Sequence, residues 1–473
     1  MADQLHPLSP NPSARYPLSA FDNTFQRSTF ITGWLVKGTI DTRALASALR
    51  RMTDKWRVLA GRLESLPQPD AKLWQLVVPL GPLPIDYPTF SLTFSTSDVP
   101  LSTYITIPLE TNSHSLPRTL FLHPDTPRQN AVWVAKSHPL TAWHVTHFPP
   151  ETSGGASYSC IGFARSHGIF DGIGAASVMR ALVAEMRGQE WHVPPPPPEG
   201  THPNPIATIV NKHLVKGSDY PQSGHAALGV KGALWLFGWH LREHLWRGSN
   251  HQIFIVPQKC LSSLVSRVRS AVQRSRRDAQ VSTGDILVAW IIKAVYVAGT
   301  PPETIIHCSN FASFRDLILE TDGESLETYL HNSFVPLPYP LLRVREINDM
   351  SLPELTLLFS DARRQLSLNH VIAAHQLIAS NPISMPVHPD ADETLVVSNV
   401  SASRILETDW SAVGSEGTLC GYRFSATTTN LVAGNTVFIS GRLPDSSTVL
   451  DVLLNKERMQ NFASAVGILT RTT

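Results

Sequence analysis

The sequence predicts a mixed α/β protein in two related halves. One observation is the strand-to-helix junction at 158–187, where the apolar run YSCIGFARS passes through HGIFDG into a pattern of helical spacing. Another is that the strand-like and helix-like segments early in the chain are matched by a similar set later on. Between them stands WHVPPPPPEGTHPNP, whose proline run cannot be helix interior or central strand and reads as an extended connector. A chain of 473 residues that is 42% hydrophobic exceeds one ordinary core and has apolar material for more. The expected division is 1–188, a proline-rich crossover at 189–225, and 226–473.

The elements follow in order. FQRSTFITGWLVKG is rich in strand formers. In IDTRALASALRRMTDKWRVLAGRLE, Asp41 can cap a helix whose Leu45, Leu49, Met52 and Trp56 make one buried stripe. Strands are expected near 73–80, 129–136 and 158–166, and a helix over 172–187. After the prolines come a Trp-rich helix near 228–247, a strand in QIFIVP, and a helix from about 260 to 278. STGDILVAWIIKAVYVAG reads as a buried helix with a capping start. A strand near 304–311, a helix over 353–375, strands near 394–400, 420–428 and 436–441, and a closing helix over 446–469 complete the reading.

Composition excludes several classes of function. The formal net charge is +1, with 39 basic against 38 acidic residues, so a nucleic-acid partner lacks its usual basic excess. Cys160, Cys260, Cys308 and Cys420 form no CxxC pair. No apolar run approaches the ~20 residues of a membrane span, and the N-terminal stretch lacks the apolar centre of a signal peptide. A cytoplasmic monomer without membrane insertion is expected.

Several patterns carry chemistry. A neutral imidazole at the end of a strand, before a glycine-rich turn, can reach a cleft and act as a general base; His167 stands there. Asp171, four residues on, opens the helix and can anchor the turn. A second HxxxD, His388–Asp392, lies in NPISMPVHPDADET and reads as loop. HLREH at 240–244 matches an inverted zinc-protease pattern, but no downstream acidic ligand is evident. It reads instead as an amphipathic helix on which Trp235, Trp239 and Trp246 pack. SRVRSAVQRSRRD carries Arg267, Arg269, Arg274, Arg276 and Arg277, a solvated face unless a phosphate-bearing ligand binds. GxGxxG, GxxxxGK[ST] and GxSxG are absent.

Taken together, LSAFD at 18–22, VLAGRL at 58–63, SHGIFDG, VSTGDILVAWI at 281–291, YLHNSF at 329–334 and SNVSASRILETDW at 398–410 form an ordered set. That set resembles the BAHD-type acyl-CoA-dependent acyltransferases, in their fungal more than their plant branch. The sequence departs from the family pattern at DFGWG, reduced to DWSAV with Asp409 kept, and at the YxGN glycine, which is His331. Of the usual paired arginines only Arg315 remains, Ser313 replacing the other.

The resemblance implies two chloramphenicol-acetyltransferase-like domains, each a mixed sheet with flanking helices, and a channel between them. It implies acyl transfer from a coenzyme A thioester, most simply acetyl-CoA and with no metal, to a hydroxyl of a hydrophobic secondary metabolite such as a terpenoid, meroterpenoid, polyketide or alkaloid. His167 would be the base, Ser398, at the family's Thr, an oxyanion donor, and Ser282 and Thr283 cofactor contacts; the arginine run, with Arg267, Arg274 and Arg277, is where the phosphates of such a cofactor would find charge. Asp171 would support the turn through Arg315, whose planar fork can hold a carboxylate bidentately, and Asp409 would be structural. A condensation-type catalyst carries HHxxxDG, whereas Ser166 precedes His167 here. An inactive small-molecule binder of the same fold would lose His167 or Gly172, and both are present.

Overall fold

The computed structural model describes residues 12–66, 73–151, 153–215, 217–381, 384–427 and 434–471. In chain order the strands of its two large sheets are β1 Ser28–Lys37, β2 Ser91–Thr96, β3 Asn112–His114, β4 Thr141–Phe148, β5 Tyr158–Ser166, β6 Ser249–Val256, β7 Ile305–Ser313, β8 Phe334–Pro336, β9 Glu393–Asn399, β10 Gly417–Thr427, β11 Thr436–Arg442 and β12 Thr448–Asn455. The helices that carry the argument are α1 Ala20–Thr24, α2 Thr42–Lys55, α3 Asn130–Ala135, α4 Gly172–Arg187, α5 Pro205–His213, α6 Val230–Leu241, α7 Gln258–Ser275, α8 Thr283–Tyr296, α9 Leu352–Arg364, α10 Leu368–Ser380 and α11 Lys456–Arg471. The molecule is mixed α/β, as expected.

A five-stranded sheet runs β10-β1-β5-β4-β2, antiparallel except where β2 joins β4. An eight-stranded sheet runs β8-β7-β9-β11-β12-β6-β3, with Leu342–Arg343 added beside β7. Its β7, β9 and β11 are mutually parallel. The two sheets exchange strands: β10, from late in the chain, lies along β1, while β3, from early in the chain, closes the edge beside β6. The boundary at the prolines therefore divides the chain and not the sheets. The crossover also holds structure of its own, with Gly200–Thr201 pairing Ser13–Pro17 and α5 capped by Asn204.

Asp41 caps α2 by accepting from the amides of Arg43 and Ala44 at 2.9 and 3.0 Å. Leu45, Leu49, Met52 and Trp56 are buried as one stripe. The apolar α8 is enclosed by α9, α11 and the eight-stranded sheet.

Four expectations need correction. Residues 129–136 form no strand; α3 is helical there, held by the Asn130 amide on the Gln26 carbonyl and by the buried Trp133, whose indole reaches Thr29. Tertiary contacts outweigh the strand preference of Val132, Trp133 and Val134. The helix over 353–375 is two helices, because Ser367 restarts α10 as an N-cap paired with His370. The closing helix begins as a strand: every residue of β12 is buried, and a strand covered on both faces lacks the alternation that would set it apart from a buried helix. On α6 the tryptophans do not all pack, since Trp235 is 50% exposed and Trp246, just beyond the helix, is 89% exposed. No helix among the described residues is long and apolar enough to cross a membrane.

Candidate active site

The β5 strand ends at Ser166 and α4 begins at Gly172, so His167 and Asp171 bracket the turn that joins them. The His167 ring is part-buried and stacks on Phe25 at 4.2 Å between centroids, with Phe30 edge-on at 5.1 Å and Phe334 at 6.1 Å. Its Nδ1 lies 3.2 Å from the Phe170 carbonyl oxygen, which can only accept. The proton therefore sits on Nδ1, and Nε2 carries the lone pair. Burial in this aromatic box, reinforced by the positive charges of Arg165 and Arg423, pushes the imidazole down to about 3. It is neutral at pH 7.

Asp171 turns away from that ring. Its Oδ1 accepts from the Gly174 amide at 2.8 Å, capping α4. Its Oδ2 accepts from Arg315 Nη1 at 2.8 Å and from the Ser333 amide at 3.3 Å. Neither a hydrogen bond nor an ion pair joins Asp171 to the His167 ring among the described residues. Arg315 does not grip the carboxylate bidentately, however. Its Nη2 donates instead to the carbonyls of Tyr329 and His331 at 2.9 and 3.0 Å, tying the 329–333 loop to the turn.

That loop completes the cradle. The Asn332 side chain donates to the His167 carbonyl and to Asp22 Oδ1, both at 2.8 Å, and His331 Nδ1 meets the Ile169 carbonyl at 2.8 Å. Asp22 also accepts from the amide and hydroxyl of Ser19 through Oδ2. Burial pushes the Asp22 carboxyl up, against these hydrogen bonds. At Gly174 a Cβ would collide with the Leu330 carbonyl, so only glycine lets the helix start this close to the loop. Asp22 and Asn332 stand in segments the sequence singles out, yet their roles depend on partners far away in the chain.

The opposite wall comes from the eight-stranded sheet. Ser398 is part-buried on β9, in register with Phe438 of β11, and Phe438 meets Phe30 at 6.3 Å. Val400 packs over Gly172 at the start of α4. Asn399 packs against Gly284, which brings the start of α8 to the end of β9. Ser282 caps α8, and Thr283 accepts from Arg269 Nη2 at 3.2 Å. Arg269 is thus the member of the arginine run that reaches this place. Arg267, Arg274 and Arg277 are exposed, and Arg276 pairs with Asp361 at 2.9 Å. Asp409 pairs with Arg187 at the end of α4 and accepts from the Ser411 amide at 2.8 Å.

The other patterns lie apart. In HLREH, Glu243 is buried and accepts from Asn455 at 2.7 Å, while the His244 side chain lies outside the described residues. Among the described residues no group of His, Cys, Asp and Glu could hold a metal ion. Asp392 accepts from the Ile305 amide at 2.8 Å, which makes the second HxxxD a loop anchor. Sequence reasoning missed Arg165 and Arg423. Each interrupts an apolar strand-forming run, IGFARS or CGYRFSA, which is the signal of a charge on a buried strand.

No protein-family model matches the chain. Among curated proteins, the O-acyltransferase pboC of Aspergillus ustus is 23% identical over 223 residues, covering 46% of this chain and 43% of that relative. The match thus spans less than half of the relative's length. Among solved structures, TRI101 of F. sporotrichioides, complexed with coenzyme A and T-2, matches at TM-score 0.63 and 14% identity, over 95% of this chain and 97% of that one. Vinorine synthase matches at 0.54 and 12% identity, over 99% and 95%. The TRI3 trichothecene 15-O-acetyltransferase of Fusarium sporotrichioides matches at 0.53 and 10% identity, over 99% of both chains. The fold is that of the BAHD acyltransferases, over nearly the whole chain.

Proposed function

We propose that this protein is an O-acyltransferase, moving an acyl group from a coenzyme A thioester to a hydroxyl of a hydrophobic small molecule. The observation that carries the reading is His167: neutral, tied through Nδ1 to Phe170, with the lone pair of Nε2 left for a proton. The names of the relatives support the reading, since pboC is an O-acyltransferase and TRI3 an O-acetyltransferase. TRI101 complexed with coenzyme A supports the co-substrate.

In the proposed step, Nε2 takes the acceptor's hydroxyl proton as the oxygen bonds to the thioester carbonyl carbon. The Ser398 hydroxyl is the candidate donor to the resulting oxyanion. Collapse breaks the carbon–sulfur bond, and the thiolate leaves with the proton held by His167, so no covalent acyl-enzyme forms. Asp171, Arg315 and Asn332 hold the turn that presents the ring. Ser282, Thr283 and Arg269 fit the polar end of an acyl-CoA, with Arg267, Arg274 and Arg277 available along the same exposed stretch. Acetyl is the proposed group, and a terpenoid, meroterpenoid, polyketide or alkaloid alcohol the proposed acceptor.

The test is incubation with acetyl-CoA and pooled hydroxylated metabolites, read by mass spectrometry. A product heavier by one acetyl group, lost in His167→Ala, is expected. Donor hydrolysis alone, or transfer that survives the substitution, refutes the reading.

A further inference from the structure

Arg165 and Arg423 are the charged groups beside His167 that the proposed reaction does not use. Arg165 is 2% exposed and Arg423 is 7% exposed. Arg165 Nη1 donates to the Thr32 hydroxyl and the Phe163 carbonyl, both at 3.2 Å, while its Nε has no partner. Arg423 is less satisfied still, with neither Nε nor Nη1 hydrogen-bonded. Neither guanidinium has a carboxylate within ion-pair distance among the described residues. Asp451, the acid that accepts from the Arg423 amide, is engaged by His251 instead.

Both groups converge on one ring. The Arg423 guanidinium lies 4.7 Å from the centroid of Phe30 and 5.3 Å from that of Phe438; that of Arg165 lies 4.7 Å from Phe163 and 5.6 Å from Phe30. Contact with an aromatic face offsets part of a cation's desolvation but satisfies none of its N–H groups. Two like charges share a dry site. Burial lowers both from the usual arginine range and the Arg423 charge adds to the effect on Arg165, while the Asp171 charge near Arg165 and the Asp451 charge near Arg423 offset part of it without forming an ion pair. A buried unpaired cation is costly, and a planar anion is what two such forks are shaped to receive.

We propose that Arg165 and Arg423 form a subsite for a substrate carboxylate, carried either by the acceptor alcohol or by the far end of the acyl chain. The inference deepens the acyl-transfer reading and rests on it. Phe30 touches both guanidiniums and the His167 ring, so an anion held there lies about one ring away from the base. That position makes the arginines specificity residues rather than donors to the reacting atoms. The phosphates of coenzyme A are not the ligand, because a pantetheine arm separates them from the thioester.

The experiment measures binding to the full chain by calorimetry, with acyl transfer followed in parallel. One arm compares malonyl-CoA with acetyl-CoA. The other compares aromatic hydroxy acids with their methyl esters. A preference of tenfold or more for the carboxylate is expected in one arm, and that arm identifies the source. Arg165→Met and Arg423→Met should each reduce the preference at least tenfold, with Arg423→Lys retaining part of it, in variants whose melting temperature shows them folded. No preference in either arm of the wild-type protein overturns the subsite, whatever the variants do. So does a preference that survives both substitutions. Binding and transfer of acetyl without any carboxylate preference defeats this inference alone; a carboxylate preference in a protein that transfers no acyl group defeats the acyl-transfer reading instead.

Discussion

His167 takes its behaviour from what surrounds it more than from its own chemistry. Phe25, Phe30 and Phe334 pack around the ring, Arg165 and Arg423 add positive potential, and the carbonyl of Phe170 selects the tautomer. With the imidazole pushed down to about 3, the neutral form that the proposed base role requires persists through mild acid. The acid limb of kcat/KM should therefore fall well below the usual histidine range, leaving the rate level from pH 7.5 to about 5 as far as the base is concerned. A limb centred near 6.5 would show that the ring is solvated in the free enzyme. His167→Ala should lower turnover on the order of 10²–10⁴-fold with little change in melting temperature. Asp171 and Arg315 behave differently, because each leaves the other's charge buried when it is removed. Arg315→Ala should cost about 3–5 kcal/mol of stability, measured by denaturant unfolding. Asp171→Asn should lose stability and activity together. Loss of activity in Asp171→Asn at wild-type stability would make the aspartate a partner of the imidazole after all.

At the scale of elements, the junction works because α4 starts where three other segments meet it. Asp171 caps the helix, Gly174 admits the Leu330 carbonyl, and Val400 closes over Gly172. The helix α8 repeats the logic at the far wall, where Ser282 and Asp285 form a capping box and Arg363 pairs with Asp285 at 2.9 Å. Its start is also where Arg269 arrives. If the polar end of acyl-CoA lies there, Arg269→Glu should raise the Michaelis constant for acetyl-CoA several-fold, more at low salt and with little change in kcat. Arg274→Glu and Arg277→Glu should have smaller effects. Equal effects at all three positions would point to a diffuse field, and no effect at any would return α7 to a solvated face.

The whole molecule is interlocked, because each large sheet takes a strand from the other half of the chain. His167 directly follows β5 and Ser398 lies on β9, strands of different sheets, so the proposed site would exist only while the sheets remain joined. Buried histidines make that union sensitive to acid. His144, His225 and His307 are each pushed down to about 4 by burial, and His167 to about 3. The unfolded chain binds protons at these positions from about pH 6.5 downward, while the folded chain does not until near pH 4. Stability is thus fully present above about pH 7 and is lost as pH falls through that window. Melting temperature should drop steadily between pH 7 and 4.5, and a flat profile would mean that these rings are hydrated in the folded state.

The sequence by itself determined the elements whose signals are local. The β-branched run, the glycines and the helical spacing at 158–187 define β5, the turn and α4, and Asp41 with its apolar stripe defines α2. Its glycines also marked the turn that holds His167 and Asp171, whereas Asp22, Arg315 and Asn332 were marked by the ordered set of segments that resembles the acyltransferase family. Tertiary structure alone decided the rest. Whether the largely apolar segment at 448–455, interrupted by Asp451, is strand or helix depends on what covers its two faces. Val132, Trp133 and Val134 prefer a strand in isolation, yet contacts to Gln26 and Thr29 make the segment helical. Nothing in the local spacing says that Arg165 and Arg423, far apart in the chain, meet over Phe30, or that Asn332 bridges Asp22 to the His167 carbonyl. Such contacts are set by which strands neighbour one another, and strand order is a property of the folded sheet that no window of sequence contains.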